Sequence, residues 1–159
     1  MNSQHVNFTL VNLIMNFLVR EVRAQDAEKI AFLSNQLGYT ISLSSTLQNI
    51  EAIGQNENEK ILVAEAGDEL AGWIHVFKTI RVESGTFCEI GGLIVSEAYR
   101  RKGVGKMLVE SVKQWCIHKG ISSLRVRCNS KRKEAHEFYA MLGFKETKEQ
   151  KVFETDSVL

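Results

Sequence analysis

Proline is absent from all 159 residues. With it go proline-rich linkers and collagen-like segments, which depend on its locked backbone angle. An excess of one charge is missing too: 20 basic residues stand against 19 acidic ones, a formal net charge of +1. A general nucleic-acid binder carries a marked basic surplus, so no nucleic-acid partner is expected. No run approaches the roughly 18 consecutive apolar residues of a spanning helix, and no membrane partner is expected either. Cysteine is scarce. Cys88, Cys116 and Cys128 lie far apart with no C-x-x-C pair. That odd count speaks against a disulfide framework and a structural zinc site, so no metal is expected and a reducing cytoplasm is the expected location.

What is present is ordinary for a folded domain: 44% hydrophobic and 25% charged residues, enough to bury a core. The length fits a single domain. The opening MNSQHVNFTLVNLIMNF is moderately apolar but lacks the basic start and small-residue cleavage site of a secretory signal. From Met15, MNFLVREVR runs directly into a strand pattern. The expected organisation is an N-terminal extension over 1–14 and one domain over 15–159.

Periodicity supplies the elements. Alternation predicts a strand over 17–23, and apolar spacing predicts a helix from Asp26 to Leu37 stopped by Gly38. Ser45 with Gln48 three residues later reads as a capping box opening a second helix. Strands over 60–66 and 69–82 flank Gly67-Asp68, a tight hairpin. The stretch 86–96 is strongly apolar near its end, which predicts a strand buried there on both faces. A helical stripe over 104–118 is closed by Gly120. In 123–129, Leu124, Val126 and Cys128 are expected inward and Arg125 and Arg127 outward. A helix over 133–142 stops at Gly143, and 144–155 is expected as a last strand. This order is mixed α/β, with helices on both faces of the sheet and a parallel right-handed crossover across 86–129.

The most informative stretch is Tyr99-Arg-Arg-Lys-Gly-Val-Gly-Lys-Met-Leu108. It follows a strand and opens a helix, so backbone N–H groups point outward at an anion. Gly103 and Gly105 let the chain approach a phosphate, and Arg100, Arg101, Lys102 and Lys106 add positive charge. A Walker A loop would need glycine at 100 and Ser or Thr at 107, where Arg100 and Met107 stand. A dinucleotide fingerprint would need a third glycine at Leu108 and an acid near Arg125. The remaining pattern, Arg-x-x-Gly-x-Gly, resembles the acyl-CoA pyrophosphate loop of the GNAT N-acetyltransferases. A second segment, Asn129-Ser-Lys-Arg-Lys-Glu-Ala-His-Glu-Phe-Tyr-Ala-Met-Leu-Gly-Phe144, is similar to the other half of that family's cofactor site. An Asn at a strand end precedes a helix with Ala135, Phe138 and Tyr139, then Gly143-Phe144, in the family's order and spacing.

The resemblance spans residues 20–154 and implies a GNAT-like fold. That fold has a mostly antiparallel twisted sheet in which the two parallel strands splay apart to admit acetyl-CoA. It implies that main-chain groups of Leu93, Ile94 and Val95 pair with pantetheine, with the N–H of Ile94 or Val95 meeting the oxyanion. The loop Arg100, Arg101, Lys102, Gly103, Val104, Gly105, Lys106 would hold the pyrophosphate. Asn129 would bond the pantetheine arm, His136 joins the cofactor-binding set, and Lys131-Arg132-Lys133 would face the 3′-phosphate. Tyr139 would protonate the leaving thiolate. Glu89, fourteen residues before Gly103 as in histone-type members, would deprotonate the amine. Phe138 is expected in the core in preference to Tyr139, and Cys88 is expected as a buried thiol on the face opposite Glu89. The segment Gln36–Ser45, with Tyr39, would wall the acceptor, and His75 faces either that groove or solvent. The implied activity is acetyl transfer from acetyl-CoA to a primary amine of a small molecule, by direct attack in a ternary complex. The alternatives are a protein lysine or N-terminal acetyltransferase, or a non-catalytic acyl-CoA-binding module. A homodimer is a family tendency.

Overall fold

The computed structural model describes residues 16–158, so the extension expected over 1–14 lies outside the described residues. The elements are β1 (Leu18–Glu21), α1 (Ala27–Gln36), α2 (Leu43–Gly54), β2 (Glu59–Ala66), β3 (Glu69–Arg81), β4 (Gly85–Val95), α3 (Val104–His118), β5 (Leu124–Val126) and α4 (Lys133–Met141). Short 3₁₀ turns cover Ala24–Asp26 and Glu97–Tyr99. The chain divides into two compact units, the first running to Val126 and the second starting at Arg127. The first holds the sheet with α1, α2 and α3, and the second holds α4.

The sheet has the order β1-β2-β3-β4-β5. Every neighbouring pair is antiparallel except β4 and β5, which run parallel, as the fold expectation required. Gly67-Asp68 forms the two-residue turn between β2 and β3. Period-two alternation then sorts the side chains. On one face, Ile61 and Val63 of β2, Leu70 of β3 and Ile94 of β4 pack against Ala27, Ile30 and Leu33 of α1 and Ile50 of α2. The other face carries Ile74 and Val76, both fully buried, and receives α3 through Val104, Leu108 and Val112. Helices therefore cover both faces.

Cys88 faces the α3 side with Cys116 of that helix, and both thiols are free and buried. Burial, with Cys88 alongside, pushes the Cys116 thiol up to about 12.

One ionic cluster ties β1 to the start of α1. Arg20 grips Asp26 with both terminal nitrogens, at 2.7 and 2.9 Å, and its Nε donates to Glu65 Oε1 at 2.6 Å. Burial alone would raise the Asp26 carboxyl, but hydrogen bonds from Arg20 and from the Arg23 N–H hold it below the ordinary carboxylate range.

Several expectations need correction. The second helix is capped by Ser42, whose Oγ accepts from the Ser45 N–H at 3.1 Å, so Ser45 lies inside the first turn. In β4 the run buried on both faces is Phe87–Ile90, in the middle, and Gly91–Val95 is mostly only half covered. The strand expected over 123–129 pairs only as Leu124–Val126. Arg125 does not point to solvent: its guanidinium sits 3.7 Å over the Phe87 ring. No strand forms over 144–155, because that stretch is polar and its Val152 and Phe153 remain exposed.

Candidate active site

The β4 strand supplies the first group of candidates. Glu89 is 7% exposed and stands in register between Phe77 of β3 and Arg125 of β5. A carboxylate that far out of water needs polar partners, and Arg125 shares its face of the sheet. Cys88 points the other way, as expected.

Beyond Glu89 the strand changes character. The β3–β4 register passes from Val76↔Ile90 to His75↔Gly92, leaving Gly91 as an inserted residue. A Cβ on Gly91 would come within 3.1 Å of His75 Nδ1 and 3.0 Å of Phe77, and one on Gly92 within 3.0 Å of Trp73. The two glycines therefore let three β3 rings, Trp73, His75 and Phe77, lie close over β4. Pairing with β5 stops at Ile90↔Val126, whereas β4 continues to Val95. The sheet order leaves that stretch without a strand on its β5-side edge among the described residues.

The direction of the backbone groups follows from one bond. Ser96 N donates to Ala71 O at 2.8 Å, so by alternation the Ile94 N–H also points to β3. Leu93 and Val95 turn their N–H and C=O to the open edge. Of the two oxyanion candidates, Val95 has an available N–H and Ile94 does not.

The loop after β4 has the backbone shape that an anion cradle requires. Arg101 has φ 60°, a left-handed conformation unusual outside glycine, and Gly103 has φ 84°. Such alternation of hand turns successive N–H groups into one concavity. α3 opens with Gly103 as its N-cap, which offers no side chain to the first-turn N–H groups. Arg100, Arg101, Lys102 and Lys106 are exposed around it, while the Val104 side chain is buried and holds the helix to the sheet. Tyr99 braces the loop from below. Its hydroxyl donates to Glu69, and Lys102 Nζ lies 5.6 Å over its ring. That bond to Glu69, with burial, raises the Tyr99 phenol and keeps it protonated. These residues suit a diphosphate such as that of acetyl-CoA.

The second unit gathers the other candidates. His136 Nε2 lies 2.9 Å from the Asn129 carbonyl, so it carries the proton and donates there. Asn129 Oδ1 accepts from the Lys131 N–H at 2.9 Å, leaving its amide NH₂ to offer to a ligand. Tyr139 is 8% exposed and is packed edge-on by Phe138 at 5.0 Å and Phe144 at 5.3 Å. Burial, reinforced by the Cys128 thiol, raises its phenol well above the ordinary value. Here expectation is reversed: Tyr139 is the buried ring, and Phe138 is half-buried.

Sequence reasoning passed over Tyr99 as a brace, the Gly91-Gly92 pair and the ring row above it. The adjacent glycines in an otherwise apolar strand were the available signal. Tyr39, expected as an acceptor wall, is exposed. His75 is settled by Glu59, whose Oε2 lies 2.8 Å from its Nε2.

Comparison with known proteins agrees with this geometry. Residues 24–144 match the Acetyltransferase (GNAT) family. The N-acetyltransferase YhdJ of Bacillus subtilis (strain 168) is 24% identical over 113 residues, covering 70% of this chain and 80% of its own. The N-acetyltransferase YhfO of the same organism is 27% identical over 133 residues, covering 80% and 89%. Among solved structures, AAC(6')-Iy in complex with the bisubstrate analog CoA-S-monomethyl-acetylneamine superposes with a TM-score of 0.79 at 20% identity, over 88% of this chain and 98% of that one. The match extends from α1 past Tyr139, and on that ground the chain belongs to the GNAT acetyltransferase family and is an N-acetyltransferase.

Proposed function

We propose that this N-acetyltransferase uses acetyl-CoA to acetylate a primary amine of a small molecule, by direct attack in a ternary complex. The observation that carries the reading is the loop Arg100–Lys106. Its two left-handed residues precede a helix start without a side-chain cap, directly after the open edge of β4. Acetyl-CoA supplies an acetyl group already activated as a thioester. The loop N–H groups and its four cations hold the pyrophosphate, and the Leu93 and Val95 main chain lines the pantetheine like an added strand. The amide of Asn129 bonds the same arm, with the turn that presents it fixed by His136. The Val95 N–H meets the oxygen on which charge develops.

An alkyl amine is mostly protonated at neutral pH, so a proton must leave before nitrogen attacks. Glu89 takes it, through water. The C–N bond then forms, the C–S bond breaks, Tyr139 Oη gives a proton to the departing thiolate, and the second proton of the attacking nitrogen passes through water to restore the Tyr139 phenol. A buried phenol with a raised pKa is in the protonated form that this role requires.

The test is thiol release from acetyl-CoA over a panel of amines, with the CoA affinity of each variant measured by calorimetry. Tyr139→Phe should lower kcat about 10²-fold, the lower end for loss of a general acid, and leave CoA affinity unchanged. Glu89→Gln should lower kcat and move or abolish the acidic limb of the pH–rate profile. CoA binding without turnover on any amine would make the protein a binding module. An unchanged kcat with weakened CoA binding in Tyr139→Phe would reduce that residue to packing.

A further inference from the structure

The face of the sheet that carries Glu89 also holds a cleft of about 170 Å³ beneath α1 and α2. Its apolar lining is Ile30, Ile41, Ile50, Ile53, Ile61 and Trp73. The polar lining residues add little polarity. Ser34 donates its hydroxyl to Ile30 O at 2.7 Å, and Thr46 donates to Ser42 O at 2.9 Å. His75 is taken up by Glu59. Asn49 is exposed, and no described lining residue is acidic.

The cleft lies on the face of the sheet that carries Glu89, and β3 leads from one to the other. Trp73 and His75 line it, Phe77 follows two residues on, and Phe77 stands in register with Glu89. Residues two apart on one face of a strand are separated by about 7 Å. The chain of an arylalkyl amine seated in the cleft would therefore run along β3 toward Glu89.

We infer that the acceptor amine carries a benzene-sized apolar group, which the isoleucine cleft receives, joined to the reacting nitrogen through an alkyl chain. This inference rests on the proposed transfer to a small amine and names its substrate class. Size supports it: an apolar protein cavity of about 150 Å³ is known to take up benzene. Charge supports it as well. A polycationic, polyhydroxylated amine would find neither carboxylates nor free hydroxyls in this lining, and burying its polar groups unpaired is unfavourable.

The experiment compares 2-phenylethylamine, ethylamine and glucosamine as acceptors, and Ile41→Trp as a variant that fills the cleft from its half-buried rim. The kcat/KM for 2-phenylethylamine should exceed that for ethylamine at least about tenfold, since even one methylene in an apolar pocket is worth that much. Ile41→Trp should remove the advantage and leave CoA affinity intact. A binding readout runs beside it. The Trp73 Nε1–H is buried with no hydrogen-bond partner among the described residues, and its indole resonance reports directly on an aromatic ring placed nearby. It should shift on titration with 2-phenylethylamine, with the other indole, Trp115, assigned by a Trp115→Phe variant. Turnover of glucosamine or ethylamine equal to or above that of 2-phenylethylamine would overturn the cleft assignment and leave the transfer reading standing. A Trp73 shift with no turnover on any amine would support the cleft and overturn the transfer reading.

Discussion

At Arg20 a single side chain holds two carboxylates at once. Its planar fork meets Asp26 in a bidentate pair, and the side chains of Arg20 and Asp26 are only 13% and 6% exposed. Removing the cation would strand a buried carboxylate, so Arg20→Met should cost about 3 kcal/mol in urea denaturation at pH 7. The pH dependence has a definite sign. Asp26 and Glu65 are both held below their ordinary values, so their contribution is present above about pH 4 and is lost as pH falls through the depressed folded values. The variant should therefore lose less stability than the parent on going from pH 5 to about pH 3. Equal acid sensitivity in both would remove the cluster from the stability balance. The same scale shows the limit of sequence reasoning at Phe138 and Tyr139. Both rings were legible on one helix, but neighbours lie about 100° apart around a helix axis, and periodicity in a short helix does not decide which points inward. Phe144 and Cys128 decide it, and neither lies on the helix.

The elements were legible where their chemistry is local. α3 has the limits its apolar stripe and Gly120 implied, and the β2–β3 hairpin turns at its Gly-Asp pair. The polar stretch 144–155 alternates weakly but has no apolar face to bury, and it forms no strand. Arg125 misled for a related reason: an arginine on an edge strand reads as solvent-facing until an aromatic partner, here Phe87, is seen beneath its guanidinium. The proposed phosphate loop was visible from its glycines and cations, but the left-handed Arg101 was not, since nothing in its neighbours requires it. Gly103 tests the loop as an element. Nothing lies within 4 Å of a Cβ built there, so the strain of a substitution is in the backbone, whose φ of 84° costs a non-glycine residue about 1 kcal/mol. Gly103→Ala should fold with that small loss and weaken CoA binding by calorimetry. Unchanged affinity in the folded variant would show that the pyrophosphate does not rest on this turn.

Across the whole molecule, near-neutral charge conceals a strongly uneven surface. A net of +1 over 159 residues says nothing of the four cations gathered within seven positions from Arg100 to Lys106. Composition spoke against a general nucleic-acid binder and still left room for a concentrated anion site, because net charge is a sum and recognition rests on a position. The proposed acceptor cleft was least legible for the same reason: it draws on α1, α2, β2 and β3, and no single segment carries its pattern. The paired thiols beneath the sheet have a consequence of another kind. Cys88 and Cys116 join β4 to α3 at 0% and 3% exposure, so a thiol reagent reaches them only when sheet and helix separate. Their modification rate is then a clock for global opening. Mass-resolved labelling of Cys116 should accelerate with urea along the same slope as the equilibrium melt, and Cys128, only half-buried, should react far ahead of it. Labelling of Cys116 that ignores urea would reveal α3 lifting away while the sheet stays whole.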